Sequence, residues 1–415
     1  WVYEGARFLC YGPGEYRRAD RCLISLSEGG TDACEVREFD AMEKKWVTEN
    51  PFYIPNSKHT VCWVDRDTLW VGYDYGEGTM SPSGYPLTTR KWSRGTKLED
   101  ATEIFRGEPT DVSAGGSFYY DKDEKYAMFY RMATFNDIEY YYWFEGDKDL
   151  TKVKWIASSC RIQTFKKKVL IMPKEDWSFG GKLYKAGSLL SCDFETFVKE
   201  GHLDAVFLGA GARTVGGEPK CDIQILYEPA NDRCAYDGAT DSRDYLYVSS
   251  LENLQSKITV YRFDDATNAF ILEGAHEAEN CQTFSVGGAE PNSSNALFAS
   301  SSGFLNPSTY LYSEVGGLKG IKNAQSLKSS SSWFDSEGMS VTLNEATSKD
   351  GTKVPYFLVR AKGNDENSGP KPTVLNGYGG FRINSLPSYS GSTGKAFLNH
   401  GMNFALACIR GGGEF

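Results

Sequence analysis

Pro372-Thr373-Val374-Leu375-Asn376-Gly377-Tyr378-Gly379-Gly380-Phe381 is the stretch on which the fold reading turns. Val374 and Leu375, bounded by Pro372 and Gly377, read as a short buried-type strand. It runs straight into a glycine-rich turn. In an open α/β sheet, ligands collect at the carboxyl ends of strands. Adjacent glycines at 379 and 380 let the backbone turn tightly and bring its N–H groups near a substrate oxygen. Many hydrolases build half an oxyanion hole this way. On local sequence alone, the same residues also fit a plain glycine turn with buried aromatics.

Downstream, Gly394 to His400 reads as a helix and Met402 to Ile409 as a second buried strand. That strand ends in Arg410-Gly411-Gly412-Gly413-Glu414-Phe415. Upstream, Met339 to Thr347 and Val354 to Ala361 read as two strands joined by Asp350-Gly351-Thr352, with Asp-Gly a strong hairpin signal. A charged loop, Lys362 to Lys371, follows them. The order hairpin, strand, glycine turn, helix, strand opens an α/β fold. Ser326-Leu327-Lys328-Ser329-Ser330-Ser331-Ser332 precedes it and reads as a polar hinge.

Before residue 330 one theme repeats. Short apolar or alternating runs are separated by Gly, Asp, Asn and Ser turns. Examples are Cys22 to Leu26, Val61 to Val64, Leu69 to Tyr73, Tyr126 to Tyr130, Lys168 to Met172, Tyr245 to Val248 and Lys257 to Phe263. Helix is confined to short pieces, at Leu98 to Phe105 and Phe194 to Glu200. Val36 to Ala41 followed by Lys45-Trp46-Val47 is echoed by Val260 to Ala266 followed by Asn268 to Leu272. Each echo reads as strand, turn, strand, which suits the outer hairpin of a propeller blade. An array of β-sandwiches would give similar local signals.

The composition narrows the function. The 415 residues are 24% charged, 40% apolar and 14% aromatic, a folded rather than a disordered balance. Net charge is -10, and the most basic run is Lys166-Lys167-Lys168. Phosphate binding needs a basic surface, so a nucleic-acid partner is not expected. No apolar run approaches the ~20 residues of a membrane span, so no membrane partner is expected either. The ten cysteines, among them Cys10, Cys22, Cys34, Cys62 and Cys281, lack paired spacing and read as reduced thiols in a cytoplasmic protein. Histidine occurs only at 59, 202, 276 and 400, away from any cysteine pair, so no metal site is expected.

Asp350-Gly351-Thr352-Lys353-Val354-Pro355, then Gly377-Tyr378-Gly379-Gly380-Phe381, then Ile409-Arg410-Gly411-Gly412-Gly413-Glu414-Phe415 follow one another between residues 350 and 415. This ordered set resembles the prolyl oligopeptidase family of serine peptidases. Cys408 departs from the family pattern, which usually has Asn there. Val36 to Asp40 and Trp177-Ser178-Phe179-Gly180-Gly181 look, more loosely, like the propeller of one branch of that family. The resemblance implies a seven-bladed β-propeller ahead of an α/β-hydrolase domain. Residues 1–332 would be the propeller, incomplete at its start, and 333–415 the beginning of the hydrolase domain. The start at Trp1 and the stop after the glycine segment read as an internal piece of a longer protein.

The resemblance also implies an activity, hydrolysis of short peptides after proline, with no cofactor and a monomeric full-length enzyme. Tyr378 matches the tyrosine that completes the oxyanion hole, and Phe381 an aromatic lining the pocket for the proline ring. The nucleophile, acid and base would all lie beyond residue 415. Within the chain, Ser392 has Ser390 where a nucleophile elbow needs Gly, and Ser117 lacks the final Gly. His400 reads as a helix-end residue and not as the base. Two alternatives stay open. One is a non-catalytic β-propeller scaffold with a degenerate hydrolase tail. The other is a different activity of the same fold, such as esterase or aminopeptidase.

Overall fold

Strands separated only by a tight turn pair at little loop-closure cost. That local pairing builds most of the structure, a computed structural model that describes residues 1–9, 19–199 and 222–414. Cys10, His202, Glu200 and Phe415 lie outside the described residues. The chain forms two compact units, Trp1–Ile225 and Leu226–Phe415.

Among the described residues, the first unit holds four antiparallel sheets of four or five strands and a two-stranded hairpin. Val2–Phe8, Arg21–Ser27, Cys34–Asp40 and Lys45–Trp46 form the first, with Tyr53–Ser57 also pairing the third strand. Thr60–Asp65, Thr68–Gly72, Thr88–Ser93 and Thr102–Arg106 form the second. Ser113–Asp121, Glu124–Met132, Ile138–Tyr142 and Thr151–Lys152 form the third. Arg161–Phe165, Lys168–Met172 and Leu189–Asp193 lead the fourth, which Gln224–Tyr227 completes. The Trp177-Ser178-Phe179-Gly180-Gly181 segment is a hairpin of Trp177–Phe179 with Lys182–Tyr184, turning through Gly180 and Gly181.

The second unit holds two more such sheets and a mixed one. Cys234–Asp241, Tyr245–Glu252, Gln255–Asp264 and Ala269–Glu277 form one. Gln282–Gly288, Leu297–Gly303, Thr309–Ser313 and Gln325–Ser329 form the next. Both sequence echoes fall on the third and fourth strands of their sheets, Cys34–Asp40 with Lys45–Trp46 and Gln255–Asp264 with Ala269–Glu277. They mark the same position in a repeated four-stranded unit.

Successive strand residues point to opposite faces, so a sheet covered on both faces needs apolar residues at every position. Thr68–Gly72 is such a strand, buried throughout. Leu69 and Val71 pack with Leu23 and Val36 of the first sheet and with Phe52, just before Tyr53–Ser57. Trp70 faces the other way and stacks on Phe129 of the third sheet with ring centroids 4.7 Å apart. The third and fourth sheets continue the stack through Met128, Val169, Ile171 and Leu190.

A buried ion pair clips the first two sheets together. The Glu38 carboxylate has no solvent exposure and takes both Nη atoms of Arg94, at 2.8 and 3.0 Å. It also accepts the Phe52 N–H at 2.9 Å. The guanidinium lies 4.3 Å from the Phe52 ring centroid and reaches Asp67 at 2.9 Å. Bidentate geometry and filled lone pairs make such a pair tolerable in a dry setting.

Four readings need correction. Ser326–Ser332 is not simply a hinge, because Gln325–Ser329 pairs with Thr309–Ser313. All five residues are exposed, and an edge strand held by backbone bonds needs no apolar pattern. Leu98–Asp100 is only a 3-10 turn, and Thr102–Arg106 beyond it is a strand, where cross-strand bonds to Thr88–Ser93 override the helical pattern. The helix near residue 394 begins earlier, at Gly391–Ala396, because the Ser390 hydroxyl caps the Thr393 N–H. Finally, Thr373–Gly377, read as a buried-type strand, lies at the edge of the sheet that these 415 residues form, with Leu375 at 73% exposure.

Glu38→Ala should leave the Arg94 guanidinium and the Phe52 N–H without their acceptor. We expect a loss of about 2–4 kcal/mol in stability, read by urea unfolding. A change below about 0.5 kcal/mol would mean that the pair is only as strong as an exposed one.

Candidate functional site

The final sheet has the order Ser340–Thr347, Lys353–Arg360, Asn403–Ala407, Thr373–Gly377. Its last pair is parallel, with Thr373 opposite Asn403 and Gly377 opposite Ala407. The carboxyl ends of these two strands therefore lie side by side. The glycine turn after Gly377 and the glycine run after Ala407 leave the sheet at the same end. This is the position at which α/β sheets expose backbone to ligands.

There the three sequence motifs meet. The Arg410 guanidinium donates to Asp350 Oδ2 at 2.6 Å, Thr352 Oγ1 at 3.0 Å and Ser348 Oγ at 3.3 Å. The Asp-Gly-Thr hairpin turn thus anchors the start of the Arg-Gly-Gly-Gly-Glu run. Hydrogen bonds from the Thr352 backbone and hydroxyl, then Arg410, hold the Asp350 carboxyl at about 2. The two glycine segments touch backbone to backbone. A Cβ on Gly379 would overlap the Arg410 carbonyl, and one on Gly411 would overlap the Gly379 carbonyl. Gly411 also has φ +90°, where side chains are strained.

The turn itself is strained. Phe381 and Arg382 both have φ +55°, a conformation that costs about 1 kcal/mol or more for each non-glycine residue. Arg382 N–H donates to Gly411 O at 3.0 Å, and Ile383 N–H to Gly380 O at 3.1 Å. The Tyr378 ring folds over Gly380, where a Cβ would come within 2.9 Å of the ring carbon Cζ and of the hydroxyl. Tyr378 is 47% exposed and Phe381 92% exposed. Both expected site residues therefore sit on one turn, presented outward.

Sequence reasoning singled out Cys408 but missed Ser385 and its bond to Glu414 beneath that turn. Ser385 N–H donates to the Glu414 carboxylate at 2.5 Å, and the Cys408 thiol reaches Ser385 O at 3.6 Å. Cys408 is buried, which pushes its thiol up to about 12, with the Glu414 charge adding to the effect. A cavity of about 320 Å³ lies beside the turn, lined in part by Asn376, Asn384, Ser385, Val359 and Phe404.

The serines weighed as nucleophiles lie elsewhere. Ser117 is within the Ser113–Asp121 strand. Ser392 is in the first turn of the helix, 3.1 Å from the capping Ser390 hydroxyl. His400 ends the 3-10 turn Leu398–His400 ahead of the last strand. Among the described residues no cluster of His, Cys, Asp and Glu could hold a metal ion. No described helix is long and apolar enough to cross a membrane.

No family model matches the chain. Individual proteins do. The uncharacterized peptidase y4nA of Sinorhizobium fredii is 34% identical over 421 residues, covering 100% of this chain and 53% of that protein. The uncharacterized peptidase RP174 of Rickettsia prowazekii is 28% identical, covering 100% of this chain and 54% of its own length. A solved structure of a post-proline cleaving enzyme from Rickettsia typhi superposes with a TM-score of 0.81 at 23% identity, over 100% of this chain and 57% of that one. The chain thus spans about half the length of the curated relatives it matches. Stacked four-stranded sheets, together with this likeness, give the chain the fold class of β-propeller domains, and the relatives it matches are named peptidases. The chain is similar to peptidases of the prolyl oligopeptidase family, among them prolyl oligopeptidase A of Galerina marginata, 32% identical over 190 residues that make up 42% of this chain and 22% of that protein.

Two outcomes follow from the anchor and the backbone contact. The Asp350 carboxyl lies below the ordinary value of about 3.9, so its contribution is present above pH ~4 and lost as pH falls toward 2. An NMR pH titration should find Asp350 charged at pH 3, and a midpoint near 4 would remove the anchor. Gly411→Ala should displace the 378–385 segment and cost about 2–3 kcal/mol, measured by thermal melting. An unchanged melt with unchanged amide shifts at Gly379 would show that the contact is loose.

Proposed function

We propose that the full-length protein is a serine-type oligopeptidase that hydrolyses short peptides, with a preference for cleavage after proline. Residues 1–332 are its propeller and 333–415 the opening of its α/β-hydrolase domain. The observation that carries this reading is the meeting of three glycine motifs at the carboxyl ends of two parallel strands. Tyr378 is the oxyanion donor. A phenol and a neighbouring backbone N–H aimed at a developing alkoxide stabilise charge that exists only in the transition state. Phe381, on the same turn as Tyr378, lines the pocket for the substrate's proline ring. The nucleophile, acid and base are supplied by residues after 415. Attack by the serine would form an acyl-enzyme that water then hydrolyses.

In the full-length protein, Tyr378→Phe should lower kcat/KM by about 10- to 1000-fold with the melt unchanged. Phe381→Ala should act mainly on KM for a proline-containing substrate. The 415-residue chain alone should neither turn over a chromogenic Gly-Pro substrate nor take a fluorophosphonate label. Wild-type kinetics for Tyr378→Phe would make that residue structural, and labelling of the isolated chain would place the nucleophile inside it.

A further inference from the structure

We propose that Glu414 is a positioning residue, whose buried carboxylate holds the strained 378–385 segment so that the Tyr378 hydroxyl stays in place. The inference rests on the reading of Tyr378 as oxyanion donor. Glu414 is 1% exposed, yet its recorded partner is a backbone group, the Ser385 N–H at 2.5 Å. Among the described residues no Lys or Arg forms an ion pair with it. A carboxylate taken out of water without a cation is costly, and one that persists does so where it fixes a conformation.

The neighbouring glycines make room for this arrangement. A Cβ on Gly412 would overlap the Glu414 carboxylate, and one on Gly413 would overlap the Arg382 carbonyl and the Asn384 amide oxygen. The run therefore lets the carboxylate fold back under the turn while its backbone supports the two left-handed residues. Transmission to Tyr378 is short. Ser385, pinned by Glu414 at its N–H and by the Cys408 thiol at its carbonyl, directs its hydroxyl to the Tyr378 carbonyl at 3.5 Å. Without the carboxylate, Phe381 and Arg382 can relax from φ +55°, and Tyr378 moves with them.

The test is a double-mutant cycle in the full-length enzyme, read by steady-state kinetics with a melt as control. Glu414→Ala should lower kcat by about 10- to 100-fold with little change in KM, since misplacing a donor by about 1 Å is enough. Glu414→Gln should recover most of that loss, because its amide oxygen still accepts the Ser385 N–H. In a Tyr378→Phe background, Glu414→Ala should cost less than about 3-fold, because the group it positions is gone. Additive losses in the double variant, a loss confined to KM, or a Gln variant no better than Ala would overturn the inference. Wild-type kinetics for Tyr378→Phe alone would instead remove the oxyanion reading, and this inference with it. Should Glu414→Ala not fold, Glu414→Asp takes its place in the cycle. It keeps the charge but withdraws the carboxylate by one methylene.

Discussion

Burial on both faces of inner strands such as Thr68–Gly72 is the constraint from which much of the architecture follows. A four-stranded meander with one wet face could alternate polar and apolar residues. Thr68–Gly72 cannot, because Leu69 and Val71 face one neighbour while Trp70 faces the other. The same demand explains the high aromatic content. Flat rings such as Trp70, Phe105 and Phe129 fill the gap between twisted sheets and gain from edge and stacked contacts. The buried charge in the stack forms a closed set, Glu38 with Arg94 and the Phe52 N–H.

The mixed sheet obeys a different rule. Its hairpin strand Lys353–Arg360 buries Phe357 and Val359 against Phe304, Leu398 and Cys408, which fixes the sheet's inner part. Thr373–Gly377 joins at the edge through parallel backbone bonds alone, and its side chains stay largely exposed. Parallel sheets are ordinarily covered on both faces. The bonds from Arg410 to the hairpin turn and from Ser385 to Glu414 tie the segments that leave this strand and its neighbour to the rest of the sheet.

Much of this was legible in the sequence, for reasons that differ by region. The repeated unit could be read because Val36–Ala41 and Val260–Ala266 occupy the same strand position, so one local pattern met one local environment. The hairpin about Asp350 was legible because Asp-Gly turns have narrow conformational demands. Tyr378 and Phe381 could be named from their motif, and the structure puts them on one turn. The edge character of Thr373–Gly377 was not legible, since an apolar run looks the same whether its faces are covered or open. Gln325–Ser329 was missed for the converse reason. A serine-rich edge strand is held by backbone groups that a side-chain pattern does not report. The Glu414 bond was missed because a buried carboxylate is recognised by what surrounds it, and its partner Ser385 is 29 residues away.

The conformation of the turn has a physical reason that packing alone does not provide. Two consecutive left-handed residues, Phe381 and Arg382, would relax in a free loop, and glycine at either position would remove the strain. Instead the glycines stand at 379, 380 and 411–413, where close approach of backbone or of the Tyr378 ring demands them. Side chains are kept at the strained positions, so the strain is tolerated in order to carry them. Phe381 is then turned outward at 92% exposure while Tyr378 lies folded over Gly380. A flexible glycine at 381 would satisfy the backbone and lose the ring. A relaxed turn would keep the ring and misdirect the phenol. The observed geometry keeps both, at the cost of a local conformation that Gly411 O and the Glu414 carboxylate must hold from beneath.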